Sequence, residues 1–202
     1  MFAFLDQQVA EISWETSESL ARFRQGRYKV EMWMLLSPTM FNRSLGPRTQ
    51  LRSAQIAAVH RMYGTNDWQL ILRAQQAKVI SPAQARKEYV HLMRWRLQND
   101  LGYAFTAYLP MHMDKGMEIY EMLFATDHAV GSKVMSHLYR KAADKEPEPM
   151  AQAAAARMNR RAAERALTLF PFEADEMSPA LDAEWEPMPV HDPTKLPWWD
   201  VV

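Results

Sequence analysis

Asp6, closing the apolar run in FAFLD, is the first residue whose type and place can do chemistry. A carboxylate at the carboxyl end of a parallel strand stands where open α/β sheets put their ligands, and it can orient an amine or hydroxyl acceptor. Trp14 and Thr16 lie just downstream and can supply a stacking face and a hydroxyl. Arg43, behind the second apolar run, can reach the same crevice and grip a phosphate or carboxylate through paired hydrogen bonds. His128, beside Asp127 in FATDHAVGSKVM, is the residue type of a proton carrier. Each has a plain structural alternative: Asp6 orienting a turn, Trp14 in the core, Thr16 or Asp127 capping a helix, Arg43 in a surface ion pair. A metal site is not expected, because no second histidine stands at ligand spacing from His128 and H-E-x-x-H is absent. No G-x-S-x-G elbow or Ser-His-Asp order stands out.

The elements that must position these residues follow from pattern. Met1 to Leu5 is continuously apolar, as expected of an inner strand covered on both faces. Ser13 to Gln25 predicts a helix with Leu20 and Phe23 on its apolar side and Gly26 as its stop, and Lys29 to Leu36 predicts a second strand ended by Ser37-Pro38. Strand, helix and strand with short links make a right-handed βαβ unit with parallel strands. Three helices come next: Thr49 to Tyr63 with Leu51, Ile56, Val59 and Met62 as its stripe, Trp68 to Val79 capped by Asn66-Asp67, and one from Ser81-Pro82 to about Asn99. Tyr103 to Leu109 and Met117 to Phe124 read as an antiparallel hairpin, followed by a helix from about Ala129 to Ala143 that KEPEPM ends. Ala151 to Leu169 is rich in alanine and arginine and predicts a solvent-facing helix. Residues 170–202 hold eight acidic residues against Lys195 alone and half of the chain's 12 prolines, so an extended or disordered tail is expected, with Pro-Trp-Trp as an anchor able to fold back.

Composition bounds the classes. A chain of 202 residues with 48% hydrophobic content supports one core-bearing domain plus a tail, and 24 basic residues against 24 acidic ones leave no global pull toward nucleic acid or anionic membrane. Cysteine is absent, which removes thiolate chemistry and points to a reducing, cytoplasmic setting. No apolar run approaches the roughly 20 residues that span a bilayer, so no membrane partner is expected. One local patch qualifies for nucleic acid: Arg86, Lys87, Arg94 and Arg96 interleaved with Tyr89 and Trp95, with Arg48 and Arg52 nearby. A solvated amphipathic helix explains that pattern too.

FAFLD, then ISWET, then KVEMWMLLSP with FNRSL behind it, and later GMEIYEMLFATDHAVGSKVM resemble, in order, the C-terminal half of the three-Cys-motif partner family. The resemblance covers roughly Met1 to Tyr139. Members of that family are themselves similar to Rossmann-type, S-adenosylmethionine-dependent methyltransferases, whose fourth strand ends in a D/N-P-P-Y-like sequence that shapes the acceptor pocket. The resemblance implies a partial Rossmann-like α/β sheet over residues 1–146, parallel strands with a C-terminal antiparallel hairpin, and a helical insertion at about 49–99. Residues 147–169 and 170–202 follow as the Ala/Arg-rich helix and the acidic tail. FLDQQ stands where the family usually has FLDP, which puts Gln7 at the acceptor corner in place of a rigid proline and adds it to Trp14, Thr16 and Arg43 on the substrate side, with Asp6 and His128 as the catalytic candidates.

If Met1 to Leu5 matches strand four of a doubly wound sheet, the first three strands and their glycine-rich loop are expected to lie upstream of this chain. All six glycines are isolated and none forms a G-x-G-x-x-G-like loop, so no cofactor is expected to bind this chain alone. The edge of the Met1 to Leu5 strand would then be open, to be met by a late-placed start, by a separate polypeptide such as a three-Cys-motif protein, by a second copy, or by the chain's own tail. The resulting expectation is a non-catalytic or co-catalytic partner subunit. The alternatives are a methyltransferase whose cofactor half is encoded upstream or supplied in trans, and a nucleic-acid-binding module.

Overall fold

The computed structural model of the chain describes residues 1–7, 10–24, 26–38, 52–112 and 118–145, and four near the C-terminus, Val190, Asp192, Lys195 and Leu196. Arg43, Arg48, the Ala/Arg-rich segment 151–169 and most of the acidic tail lie outside the described residues.

The architecture is mixed α/β, with four strands in one mixed sheet and five helices among the described residues. In chain order these are β1 (Phe2–Leu5), α1 (Trp14–Arg22), β2 (Glu31–Leu36), α2 (Arg52–Tyr63), α3 (Trp68–Gln76), α4 (Pro82–Asn99), β3 (Phe105–His112), β4 (Glu118–Thr126) and α5 (Ala129–Lys145). The sheet order is β1-β2-β4-β3, with β1 and β2 parallel and β4 antiparallel to both β2 and β3. The hairpin expected from Tyr103 to Phe124 is present, and its second strand is the one that joins β2.

Side-chain alternation sorts the sheet into two faces. The row Leu5, Met34, Leu123 and Tyr108 is set by the register of the four strands and faces a large core shared with α1 to α4. The next row, Phe4, Trp33, Phe124 and Ala107, faces the other way, where α5 lays Met135 and Tyr139 on a smaller cluster. Among the described residues, the sheet is thus sandwiched between four helices on one side and one on the other.

Two local expectations are corrected. β1 is not covered on both faces: Leu5 is buried, but Phe2 and Phe4 are 51% and 49% exposed, because α5 packs on β3 and β4 and leaves the β1 side of that face uncovered. In α1 the apolar side includes Leu20, half-buried against the core, but not Phe23. Trp14, Ser17 and Ala21 face the core, which turns Phe23 outward at 66% exposure, and the helix ends at Arg22, short of Gly26.

Capping follows the sequence at α1 and α4 and departs from it at α3. Ser13 Oγ accepts from the Thr16 amide and Ser81 Oγ from the Gln84 amide, with Pro82 opening α4 where no donor is needed. Asp67 precedes α3 without a side-chain capping bond; Asn66 Oδ1 instead accepts from Gln69 Nε2. Gly64 ends α2 at φ +61°, the left-handed conformation a helix stop of this kind needs. Near the C-terminus, Leu196 packs half-buried on the large core, while the Pro-Trp-Trp expected to act as an anchor lies outside the described residues.

Candidate functional site

The carboxyl ends of β1 and β2 bring Asp6, Gln7 and the start of α1 together. Asp6 is exposed. Gln7 is only 2% exposed; its Oε1 accepts from the Ile12 amide at 3.3 Å, tying the β1–α1 turn, while its Nε2 is buried with no partner among the described residues. Gln7 therefore does the turn-shaping that the sequence offered to Asp6. It leaves one costly donor aimed at nothing the described residues supply.

Trp14 is not a stacking platform for a ligand. Its ring is buried, the Arg96 guanidinium lies 3.9 Å over it, and Nε1 donates to Glu18 Oε1 at 3.0 Å. Gly64 presses so close that a Cβ there would fall 2.7 Å from Trp14 Cβ. Thr16 is exposed, with its Oγ1 3.2 Å from Ser13 Oγ in the cap of α1. Arg43 lies outside the described residues.

His128 stands at the opposite end of the sheet. β4 runs antiparallel to β2, so Thr126 meets Glu31 at the amino end of β2, with Thr126 Oγ1 donating to Glu31 Oε1 at 2.7 Å. Five strand steps of about 3.3 Å put roughly 17 Å between that end and the level of Leu36. Asp6 and His128 are not one site. His128 rests on Tyr28, with ring centroids 4.7 Å apart, and its Nδ1 accepts from the Gly131 amide at 3.4 Å at the start of α5. Asp127 turns away from it: its carboxylate accepts from the Lys29 amide, from Lys29 Nζ and from the Ala104 amide, and Lys29 Nζ also donates to Gly102 O. The D-H pair thus splits into a helix-start contact and a clamp joining the entries to β2 and β3.

The interior polar groups of α4 were the least legible feature. Glu88, His91 and Arg94, spaced three apart, are all buried. Arg94 Nε donates to Thr106 Oγ1 and Nη2 to Thr106 O, both at 3.2 Å, and the guanidinium lies 5.4 Å from the Tyr108 ring centroid. Burial pulls the Arg94 guanidinium down to about 10, with the Tyr108 phenol acting in the opposite direction. The His91 ring meets Tyr108 edge-on at 6.2 Å. Tyr63 donates to Tyr89 O at 2.9 Å, and burial pushes both phenols up. The arginine and tyrosine read as a phosphate-tracking, base-stacking stripe are therefore inside. Arg94 and Tyr89 face the core, and Arg96 pairs with Asp100 at 2.7 Å. The three-residue spacing of Glu88, His91 and Arg94 was the available signal.

A further exposed surface is the β1 edge. β1 pairs with β2 alone among the described strands. The Glu31 amide donates to Met1 O at 3.0 Å, and in a parallel ladder that phase turns the N–H and C=O groups of Phe2 and Phe4 away from β2, to the open side. Their side chains lie on the α5 face, edge-on to Trp33 at 5.6 and 6.2 Å. Trp33 stacks with Tyr139 and donates its Nε1 hydrogen to the Tyr139 hydroxyl; burial pushes that phenol up, so it remains neutral. No charged residue lies in Met1 to Leu5 to discourage edge pairing.

Among the described residues no cluster of His, Asp or Glu can hold a metal ion, and no helix is long and apolar enough to cross a membrane. Comparison of the chain with family models, with curated proteins and with solved structures returned no match.

Proposed function

We propose that this chain is a non-catalytic or co-catalytic partner subunit, resembling the three-Cys-motif partner family, that joins another polypeptide by accepting a strand along β1. The observation carrying this reading is the uncharged β1 edge with its outward Phe2 and Phe4 amides and its exposed aromatic face. An apolar edge of this kind is a template for β-augmentation.

Strand order supports a Rossmann-like descent. In a doubly wound sheet of order 3-2-1-4-5-6, β1, β2 and β3 take the places of the fourth, fifth and sixth strands, with β4 entering antiparallel between the last two. The strand expected beyond β1 is then parallel to it and belongs to the half that carries a cofactor loop. A second reading, a methyltransferase completed in trans, is favoured by the exposed Asp6 and the buried Gln7 Nε2 at the carboxyl end of β1.

Affinity purification of the tagged chain from its native cells, beside a Phe4→Asp variant, tests the first reading. Phe4 is half exposed, so the substitution should change stability by less than about 1 kcal/mol. It should nonetheless abolish recovery of the partner, since a carboxylate on that face must be desolvated against the incoming polypeptide. Equal recovery with both chains would refute edge docking. Tight S-adenosylmethionine binding by the isolated chain, measured calorimetrically, would defeat the partner reading altogether.

A further inference from the structure

The aromatic face of β1 and β2 is one side of a groove whose other side is α5. Val130, Val134 and Leu138, spaced four apart, form an exposed apolar stripe on that helix, separate from the Met135 and Tyr139 side chains that pack on the sheet. α5 runs back along the sheet antiparallel to β4, since Gly131 lies by Thr126 and Glu31 while Tyr139 reaches Trp33. α1 packs on the opposite face, and a right-handed β1–α1–β2 crossover fixes the side of β2 on which β1 lies. With a right-handed helix in that orientation, the Val130–Val134–Leu138 flank turns toward β2 and β1. Phe2, Phe4 and Trp33 form the floor, and the stripe forms the wall. Lys133 and Lys141 are exposed on the same helix and give its outer side a positive rim.

We propose that this groove seats the chain's own acidic segment, residues 170–188. That segment carries six acidic residues and no basic one, interspersed with Phe170, Phe172, Met177, Leu181, Trp185 and Met188. Apolar side chains with acidic neighbours match an apolar groove with a lysine rim. Covalent attachment holds the segment at an effective concentration on the order of millimolar, so modest affinity suffices. Residues 146–169 link the end of α5 to this segment, and Leu196, eight residues beyond it, packs on the large core across the sheet, so both flanks tether it to the domain. A segment lying on the face leaves the Phe2 and Phe4 amides at the edge free for a strand-donating partner; because the Phe4 side chain serves both readings, this one is tested through α5 and not through Phe4→Asp.

Because the chain has no cysteine, a pair of introduced thiols reports proximity without background. In the full chain, Val134→Cys with Ala180→Cys should form an intramolecular disulfide under mild oxidation about ten times faster than Gln84→Cys with Ala180→Cys. Val134 and Gln84 are both exposed, so neither substitution disturbs the core. The preference should shrink in 1 M salt, where screening reaches about 3 Å, and should largely disappear when Lys133→Glu and Lys141→Glu are added. Equal rates for the two pairs, a preference indifferent to charge reversal, or disulfides formed chiefly between copies would overturn the proposal.

Discussion

Gly64→Ala should lower the stability of this chain by about 3 kcal/mol. Two costs combine. At φ +61° an L side chain sits in the left-handed region, which costs roughly 1–2 kcal/mol. The added Cβ would also fall 2.7 Å from both Cβ and Cγ of Trp14, the root of a ring pinned by Arg96 and by the Glu18 hydrogen bond, so little of it can yield. Overpacking of that kind typically costs a further 1–3 kcal/mol. For a chain of this length the combined loss corresponds to a Tm lower by roughly 6–12 °C, readable by thermal denaturation followed by circular dichroism. Trp14→Phe in the same background keeps Cβ and Cγ, so it should recover little of the loss. A Gly64→Ala chain as stable as the parent would mean that α1 and the end of α2 do not meet through Trp14.

The second large effect belongs to Arg94. Arg94→Ala should cost about 3–5 kcal/mol, since it leaves the Thr106 carbonyl and hydroxyl without their donors and opens a cavity beside Tyr108. Arg94→Met fills most of that volume but restores no donor, so about half of the loss should remain. Thr106→Val removes only the hydroxyl and should cost about 1 kcal/mol by itself, and in the Arg94→Met background it should cost almost nothing further. Urea denaturation of the four chains, read as a double-mutant cycle, measures the coupling directly. Additive losses would show that the guanidinium is not held through Thr106. A surface, phosphate-tracking arginine would instead change stability by less than about 0.5 kcal/mol on substitution.

The same residue shows where sequence reasoning reaches its limit. Helix boundaries with explicit punctuation were legible: Ser81-Pro82 starts α4, Gly64 stops α2, and Ser13 caps α1, each by satisfying or avoiding an orphan backbone group. The order of strands and helices was legible from the change in hydrophobic period. What the pattern could not give was depth. α4 is buried so far round that its polar residues include core members, so Arg94 and Tyr89 looked like a surface patch when they are packing and hydrogen-bonding groups. The error at β1 runs the other way. A continuous apolar run predicts a doubly covered strand, yet coverage depends on α5, which lies over β3 and β4 and leaves Phe2 and Phe4 outside.

The candidate site divided along similar lines. Asp6 and Gln7 stand at the carboxyl end of β1 simply because they follow its last residue in the sequence. His128 could not be placed from sequence, since only the pairing of β4 with β2 sends it to the other end of the sheet. Trp14 and Asp127 were each equally consistent with chemistry and with structure, and both turned out to be occupied: one by Arg96, Glu18 and Gly64, the other by Lys29 and Ala104.

Amide exchange at β1, followed residue by residue by NMR, tests the proposed edge docking most directly. In the isolated chain, Ala3 and Leu5, whose amides face β2, should be protected, while Phe2 and Phe4 exchange near the rate of an unstructured peptide. In the complex recovered from native cells, Phe2 and Phe4 should slow by at least a hundredfold as a strand closes over them. Protection of Phe2 and Phe4 in the chain alone, or fast exchange that persists in the complex, would contradict the account.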